Sequence, residues 1–127
     1  MLELKQINKY YNQGTVNEMC LFEDFSLTIR DRQFVSVVGS NGSGKTSMLN
    51  IICGSIPLDS GRIIIGGKDI TSMPEYKRQR RIGRVYQNPA MGTCPHMTIL
   101  ENMALADNKG KPFNLLPGTN RQRINYY

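Results

Sequence analysis

The chain has 127 residues, of which 39% are hydrophobic and 20% are charged, and its formal net charge is +6. This length suits one domain or part of a larger one, and the composition is typical of a folded globular chain rather than a disordered one. No apolar run approaches the ~20 residues of a membrane-spanning helix, and the N-terminus lacks the pattern of a secretory signal. The basic charge favours anionic partners such as nucleotides, nucleic acid or a membrane surface.

Cysteine and histidine are too few to predict a metal centre. The three cysteines, Cys20, Cys53 and Cys94, are widely spaced and form no C-x-x-C pair, which indicates a reducing compartment. Cys53 stands in an apolar run and is expected to be a small core residue. With His96 as the single histidine, a zinc site is not expected.

Three strands and a helix are predicted in the first part of the chain. Apolar residues at positions 2, 4 and 7 indicate an opening strand, and alternation over residues 25–30 indicates a half-buried one. Residues 34–38, Phe-Val-Ser-Val-Val, are nearly continuously apolar, which predicts a strand covered on both faces in a parallel sheet. A helix is predicted next, from Gly44 or Lys45 to Gly54. Its predicted buried face comprises Met48, Leu49, Ile51 and Ile52.

The middle of the chain alternates turn signals with short elements. Residues 62–65 are predicted to form a strand that ends in the hairpin signal Gly66-Gly67. Ser72 and Glu75 have the spacing of a capping box, which predicts a short helix carrying the basic run of residues 77–81. We interpret this run as a solvated helix face rather than a nucleic-acid patch, because no aromatic residues interleave with it.

Further along, residues 82–87 are predicted to return to strand. Thr98 and Glu101 form a second capping box, which predicts a helix toward Ala106. Beyond Asp107 the chain turns polar, with Gly110, Pro112, Pro117 and Gly118.

The sequence GSNGSGKT over residues 39–46 matches the pattern G-x-x-x-x-G-K-[ST], which cradles nucleotide phosphates. Glycines let the backbone turn its N–H groups toward the phosphate oxygens, and the following helix points its positive end at the same anion. Lys45 is expected to reach the β- and γ-phosphates, and the hydroxyl of Thr46 is expected to bind Mg²⁺. The predicted nucleotide-binding residues of this segment are Gly39, Ser40, Asn41, Gly42, Ser43, Gly44, Lys45, Thr46 and Ser47.

Four segments that include this loop resemble the nucleotide-binding domain of ABC transporters. They read LKQINKYYNQG, LFEDFSLTIRDRQFVSVVGSNGSGKTSMLNIICG, LDSGRIIIGGKDIT and RIGRVYQNPAMGTCPHMTILENMALA, and they cover nearly all of the chain up to about Asp107. The resemblance implies an α/β fold: a P-loop NTPase-type core, with a partial parallel sheet and helices, plus an N-terminal antiparallel β subdomain. It implies ATP and Mg²⁺ as cofactors. The likeness is greatest to ATPase subunits of importers for amino acids or related small solutes.

The resemblance also assigns roles outside the loop. Tyr11 stands where the family places the aromatic ring that stacks on adenine, with Tyr10 as a rival. Gln87 stands where the family places a catalytic glutamine that touches Mg²⁺ and the attacking water, so Thr46 and Gln87 are the expected metal ligands. Residues from Asn88 to Met97 would then meet a transmembrane permease subunit, and a second nucleotide-binding domain would complete a homodimer.

The sequence departs from the family's pattern in two ways, of which the first alters a turn and only the second bears on activity. Arg32-Gln33 stands where Gly-Glu is usual, and the LSGGQ signature, the acidic strand end and the switch histidine do not occur in the sequence. We therefore expect residues 1–127 to be a single partial domain, truncated within its helical subdomain. Its antiparallel β region and phosphate-loop core would extend to about residue 87, and its permease-facing region and helical start would occupy about 88–127. Alone, it is expected to be inactive, and either to self-associate, by swapping or through unpaired strand edges, or to be only marginally stable.

The intact protein is expected on the cytoplasmic, inner face of the cell membrane, held there by the permease, with no nucleic-acid partner. Two alternatives stay open. The first is another P-loop ATPase or a kinase; a GTPase would require N-K-x-D, and residues 108–111 lack the aspartate. The second is a non-catalytic module that binds a nucleotide or nucleic acid, which the net charge favours.

Overall fold

The computed structural model of this chain describes residues 1–112, 118 and 121–126. The chain divides into two compact units, Met1–Arg78 and Gln79–Tyr127. The first unit contains an antiparallel sheet with the strand order β2-β1-β3-β4. Its strands are β1 (Leu2–Tyr11), β2 (Met19–Ile29), β3 (Ser60–Ile65) and β4 (Lys68–Asp69), and its helices are α1 (Lys45–Cys53) and α2 (Glu75–Arg78).

The strand predictions for this sheet are confirmed. β1 pairs with β2 from Leu2↔Ile29 to Tyr11↔Met19, and exposed and partly buried positions alternate over residues 25–29 as the sequence pattern predicts. β3 contains the strand predicted for residues 62–65. It turns at Gly66-Gly67 into β4, so the predicted hairpin is also confirmed.

Bulges bend β1 and β2 near their middle. The register of β1 against β2 shifts twice between residues 4 and 9, and Gln6 and Asp24 have positive φ values of 48° and 46°. The side chain of Asn8 ties the bent strands together. Its Nδ2 donates to Gln6 O at 3.0 Å and to Ser60 Oγ at 2.9 Å, and its Oδ1 accepts from Asp24 N at 2.8 Å. Bulges re-aim the strand that follows, here residues 7–11 of β1.

The apolar core of the first unit is built from β1, β3, α1 and the residue after β4. Complete burial of an aliphatic side chain stabilises the fold by about 1.5–3 kcal/mol relative to exposure, so these few residues carry much of the unit's stability. Cys53 is buried, as predicted. The buried apolar residues of the unit are Leu4, Ile7, Met48, Ile51, Ile52, Cys53, Ile63 and Ile70.

The predicted helix is α1, and it ends at Gly54 as expected. Gly54 has φ 95°, in the left-handed region where a glycine avoids the clash of a Cβ. The prediction that Leu49 is buried is wrong, because its side chain is 50% exposed. Leu49 and Ile52 are three residues apart and share a face of α1. Leu49 is the one nearer the N-terminus, and at that end of the face the described residues leave half of its side chain exposed.

Arg78 closes the C-terminal end of α1. Its guanidinium donates to Ile51 O at 2.9 Å and Ile52 O at 3.2 Å, and also to Thr71 O and Met73 O, each at 2.7 Å. A helix end leaves carbonyls without intrahelical partners, and a cation there satisfies them. Arg78 is only 5% exposed, so the interpretation of the basic run as a solvated face is wrong for this residue. The exposed members of the run are Lys77, Arg80 and Arg81.

Two predicted strands, one of them expected in a parallel sheet, do not form in this structure. Residues 34–38 and residues 82–87 have no regular secondary structure. A strand requires hydrogen-bond partners on a neighbouring strand, and within the described ranges 1–112, 118 and 121–126 no strand pairs with either segment. Phe34 and Val38 are accordingly 91% and 90% exposed, although their pattern predicts burial.

The second unit contains the predicted helix after the second capping box, α3 (Ile99–Asp107). Thr98 Oγ1 accepts from Glu101 N at 3.2 Å, and Glu101 Oε2 accepts from Thr98 N at 2.7 Å. The hydrogen bonds from the backbone and the hydroxyl of Thr98 hold the pKa of Glu101 below its usual range. The capping-box prediction is therefore confirmed.

A 3₁₀ turn (Pro89–Met91) precedes α3, and a further helix, α4 (Arg121–Tyr126), follows it in the polar C-terminal region. Pro117, named in the sequence analysis of that region, lies outside the described residues. In the described part of the chain, none of the helices combines the length and apolarity that a bilayer crossing requires.

Candidate functional site

Residues 39–44 form a loop that leads directly into α1, whose first two residues are Lys45 and Thr46. Gly42 and Gly44 have φ values of 83° and 89°, which glycine adopts without strain. Gly44 is the N-cap residue, and no side chain in the described residues caps this helix end. The first turn of α1 also contains no carboxylate. Its backbone N–H groups and its positive dipole end are therefore available to an anion.

Lys45 folds back over this loop. Its Nζ donates to Gly39 O at 2.5 Å, Ser40 O at 2.6 Å and Ser43 Oγ at 3.4 Å. All three acceptors are uncharged, so they orient the ammonium group without neutralising its charge. An anion at this position would form charge-assisted hydrogen bonds, which are about twice as strong as neutral ones.

The loop is closely packed at both of its ends. A Cβ on Gly39 would lie 2.5 Å from Ser43 Oγ, which is too close for any other residue type without rearrangement. A Cβ on Gly44 would lie 3.2 Å from Leu21 Cδ1 and 3.5 Å from Phe22 Cζ. The start of α1 therefore lies against β2.

The polar side chains of the loop reach solvent. Thr46 is exposed and Ser47 is partly exposed in the first turn of α1. A hydroxyl oxygen is a ligand type that Mg²⁺ accepts, and Mg²⁺ commonly completes its shell with phosphate oxygens and water. The described residues hold no group of three His, Cys, Asp or Glu side chains that could bind a metal alone. A magnesium ion at Thr46 would therefore need oxygens from a bound phosphate.

Tyr11 is the last residue of β1 and pairs with Met19. Two positions earlier, Lys9 pairs with Phe22, which lies beside Gly44 together with Leu21. The register of β1 against β2 therefore places Tyr11 at the end of the sheet where the loop enters α1.

Tyr10 faces the other side of β1, because successive side chains of a strand alternate. Its ring lines an open groove with Asn8 and Arg62. Desolvation and the carboxylate of Glu23 raise the pKa of Tyr10. Tyr11 shares its side of the strand with Lys9, whose Nζ lies 5.4 Å from the centroid of the Tyr11 ring. Tyr10 and Tyr11 therefore lie on opposite sides of β1, and the stacking role of Tyr11 stays a prediction.

Gln87 is exposed and belongs to the second unit. Its predicted role toward Mg²⁺ stays a prediction. Residues 88–97 after it are exposed throughout, and Asn102 of α3 braces their C-terminal part. Asn102 Nδ2 donates to Cys94 O at 3.1 Å and Met97 O at 3.3 Å, and its Oδ1 accepts from Cys94 N at 2.8 Å.

Sequence reasoning missed Lys9, Asp59 and Arg78. A signal existed for Lys9, which follows the buried Ile7 at the two-residue period of a strand and therefore faces inward. No pattern in the neighbouring sequence predicts that Arg78 binds the end of α1, since its acceptor Ile51 is 27 residues away in the chain.

Comparison with protein families identifies the chain. The model of the ABC transporter family matches residues 22–125, which is well over half of the sequence. The chain belongs to the ABC transporter family. The resemblance drawn from the phosphate loop and its flanking segments is thereby confirmed.

Two relatives illustrate the similarity of this ABC transporter chain. It is 46% identical over 115 residues to the tyrosine transport ATP-binding protein of Clostridioides difficile (strain R20291), covering 91% of this chain and 46% of the relative. It is 43% identical over 104 residues to the spermidine/putrescine import ATP-binding protein PotA of Haemophilus influenzae, covering 82% of this chain and 26% of the relative. The chain thus spans about half or less of the length of the curated relatives it matches.

Solved structures of ABC transporter cassettes share the fold. A dimeric structure of the bacterial cassette MJ0796 matches with a TM-score of 0.77 at 28% identity, covering 99% of this chain and 55% of that one. A dimeric post-hydrolysis state of the same cassette, bound to ADP and Pi, matches with a TM-score of 0.76 at 27% identity, covering 98% and 53%. The predicted α/β fold class is confirmed, although residues 34–38 and 82–87 do not form strands here.

Proposed function

We propose that this ABC transporter chain binds ATP with Mg²⁺ as part of an ATPase subunit that drives transport across a membrane. One observation carries the proposal: in residues 39–46, the Lys45 ammonium is held only by uncharged loop oxygens, and it lies in the first turn of α1, whose N-terminus no described side chain caps. A triphosphate has the charge and shape that such a loop accepts. The cassette structure bound to ADP and Pi supports an adenine nucleotide.

Each site residue has a role in this proposal. Backbone N–H groups of residues 40–46 bind phosphate oxygens, and Lys45 reaches the β- and γ-phosphates. Thr46 and Gln87 bind Mg²⁺, and Gln87 also contacts the attacking water. Tyr11 stacks on adenine, a contact worth about 1–3 kcal/mol. We expect the chain alone to bind ATP without hydrolysing it, because a general base must reach the water and residues 39–47 contain no carboxylate.

The partners in this proposal are a second nucleotide-binding domain and a transmembrane permease subunit. Dimeric cassette structures support the homodimer. Residues 88–97 are the proposed permease contact, because they are exposed and braced by Asn102 rather than buried in the unit. The intact subunit would therefore lie on the cytoplasmic face of the cell membrane.

The proposed cargo is an amino acid or a related small solute, taken up rather than exported. Support comes from the relatives, whose names give tyrosine transport and spermidine/putrescine import. All three molecules named there are small and carry an amino group. Uptake of labelled tyrosine and polyamines by cells lacking the corresponding gene would distinguish the two cargo classes.

Isothermal titration calorimetry of the chain with ATP tests nucleotide binding. We expect saturable binding that strengthens when Mg²⁺ is present, and binding of AMP at least about tenfold weaker, since AMP lacks the phosphates that Lys45 contacts. ATP should bind at least as tightly as GTP. Heat changes that show no saturation with ATP at millimolar concentrations would reject the proposal.

A nucleic-acid-binding module is the second candidate, because the net charge is +6. The burial of Arg78 removes one cation from the basic run on which this candidate depends. Salt-dependent binding of DNA that persists after Lys45→Ala would favour the module.

A kinase would instead transfer the γ-phosphate to an added small molecule.

We further expect the chain to self-associate through residues 34–38. Phe34 and Val38 are almost fully exposed, and unpaired β-prone backbone is a template for pairing with a second chain. In sedimentation velocity at increasing concentration, the unmodified chain should form dimers or larger species, and the double variant Phe34→Lys, Val38→Lys should shift the distribution toward monomer.

Val16 and Ile99 provide the matched control, since both are exposed aliphatic residues outside residues 34–38 and 82–87. The double variant Val16→Lys, Ile99→Lys adds the same charge and should associate like the unmodified chain. A monodisperse monomer of the unmodified chain at high concentration would contradict this expectation.

A further inference from the structure

Lys9 is a buried cation beside the candidate adenine-binding ring. The residue is 9% exposed, and its Nζ lies 5.4 Å from the centroid of the Tyr11 ring, within the range of a cation–π contact. Lysine is seldom buried without a partner. Here the partner is Asp59, whose Oδ1 lies 3.6 Å from Nζ.

Asp59 also holds the backbone on both sides of Lys9. Its Oδ2 accepts from Tyr10 N at 2.7 Å, and its own N–H donates to Asn8 O at 3.1 Å. Residues 8–10, which precede Tyr11 in β1, are therefore held by three contacts with Asp59. Strand ends commonly fray unless such contacts restrain them.

We propose that Lys9, held by Asp59, is a positioning residue that fixes the Tyr11 ring for stacking on the base of a bound nucleotide. This inference rests on the proposed function, in which Tyr11 stacks on adenine. The ammonium group occupies one face of the ring, so the ring is restrained before a ligand arrives. A restrained side chain loses less conformational entropy on binding, which strengthens affinity without adding a contact to the ligand.

Two ligands separate this role from general support of the fold. ATP uses both the phosphate loop and the aromatic ring, whereas inorganic tripolyphosphate can use only the loop. We expect Lys9→Met to weaken ATP binding by about 3- to 10-fold, in line with the cost of ordering one side chain. The Kd for tripolyphosphate should change by less than about twofold, because a substitution at a site independent of the phosphate loop changes binding there by no more than this.

A double-mutant cycle locates the effect at the ring. In a Tyr11→Ala background, Lys9→Met should weaken ATP binding by less than about twofold, because the group that Lys9 positions is gone. Lys9→Arg keeps a cation over the ring and should restore most of the lost affinity. Lys5→Met is the matched control, since Lys5 is an exposed lysine of the same strand, and it should bind ATP like the unmodified chain.

A nuclear magnetic resonance measurement tests the contact without any nucleotide. The ε-methylene protons of Lys9 should be shifted upfield by the Tyr11 ring, and Tyr11→Ala should remove the shift. Equal weakening of ATP and tripolyphosphate by Lys9→Met, or a full effect of Lys9→Met in the Tyr11→Ala background, would overturn the inference. So would the absence of any upfield shift.

Failure of the proposed function has a different signature. If the unmodified chain bound neither ATP nor tripolyphosphate, the nucleotide site itself would be rejected, and the positioning role with it. If ATP binding depended on Tyr11 but not on Lys9, the nucleotide site would stand and only the role of Lys9 would be rejected.

Discussion

Replacing Lys45 with alanine should weaken the binding of ATP by about 30-fold, which corresponds to about 2 kcal/mol, the usual worth of a hydrogen bond to a charged group. The lysine supplies the one flexible cation of the phosphate loop, and its acceptors in this structure are all uncharged oxygens. A triphosphate would exchange those weak acceptors for anionic ones. The expected loss should appear as a higher Kd in calorimetric titrations with ATP and Mg²⁺.

Lys68→Ala is the control for the change in charge. Lys68 is an exposed lysine at the hairpin between β3 and β4, so its removal should leave the Kd for ATP within about twofold. Thermal melting of both variants without nucleotide would show whether Lys45→Ala also loosens the loop. An ATP affinity that is unchanged in Lys45→Ala would place the nucleotide elsewhere and refute the proposed site.

Replacing Arg78 with methionine should lower the free energy of unfolding of the first unit by about 3 kcal/mol. The change removes the charged donor from carbonyls of α1 and of the segment before α2. Hydrogen bonds to charged groups are worth about 1.5–3 kcal/mol each before water recovers part of the loss. Burial lowers the pKa of the Arg78 guanidinium, so the hydrogen bonds must offset its desolvation. Urea denaturation followed by circular dichroism measures the change.

Arg81→Met is the matched control, because Arg81 is an exposed arginine of the same basic run. It should change the free energy of unfolding by less than about 0.5 kcal/mol. Arg78→Lys should recover only part of the stability, since an ammonium lacks the planar fork that reaches acceptors on two segments, the end of α1 and residues 71–73. Equal urea midpoints for Arg78→Met and Arg81→Met would show that the buried hydrogen bonds contribute nothing.

Local patterns predicted the elements that depend on neighbouring residues. The capping box of Thr98 and Glu101, the glycine turn after β3 and the end of α1 at Gly54 each rest on contacts within a few residues, and each is found. Residues 34–38 show the opposite case. Their apolar pattern predicts a central strand, but the backbone hydrogen bonds of a strand come from other segments, and no described segment supplies them.

The nature of the site could be predicted from the sequence alone, because the phosphate loop and its lysine lie within eight consecutive residues, 39–46. Their order alone predicts that glycines, a lysine and a helix start converge on one anion. Only the tertiary structure revealed the contact of Lys9 with Asp59 and Tyr11, and that of Arg78 with the end of α1. Asp59 and Ile51 are far along the chain from Lys9 and Arg78, and the packing of the elements decides that they meet. A long-range contact depends on how several elements pack, so no local pattern encodes it.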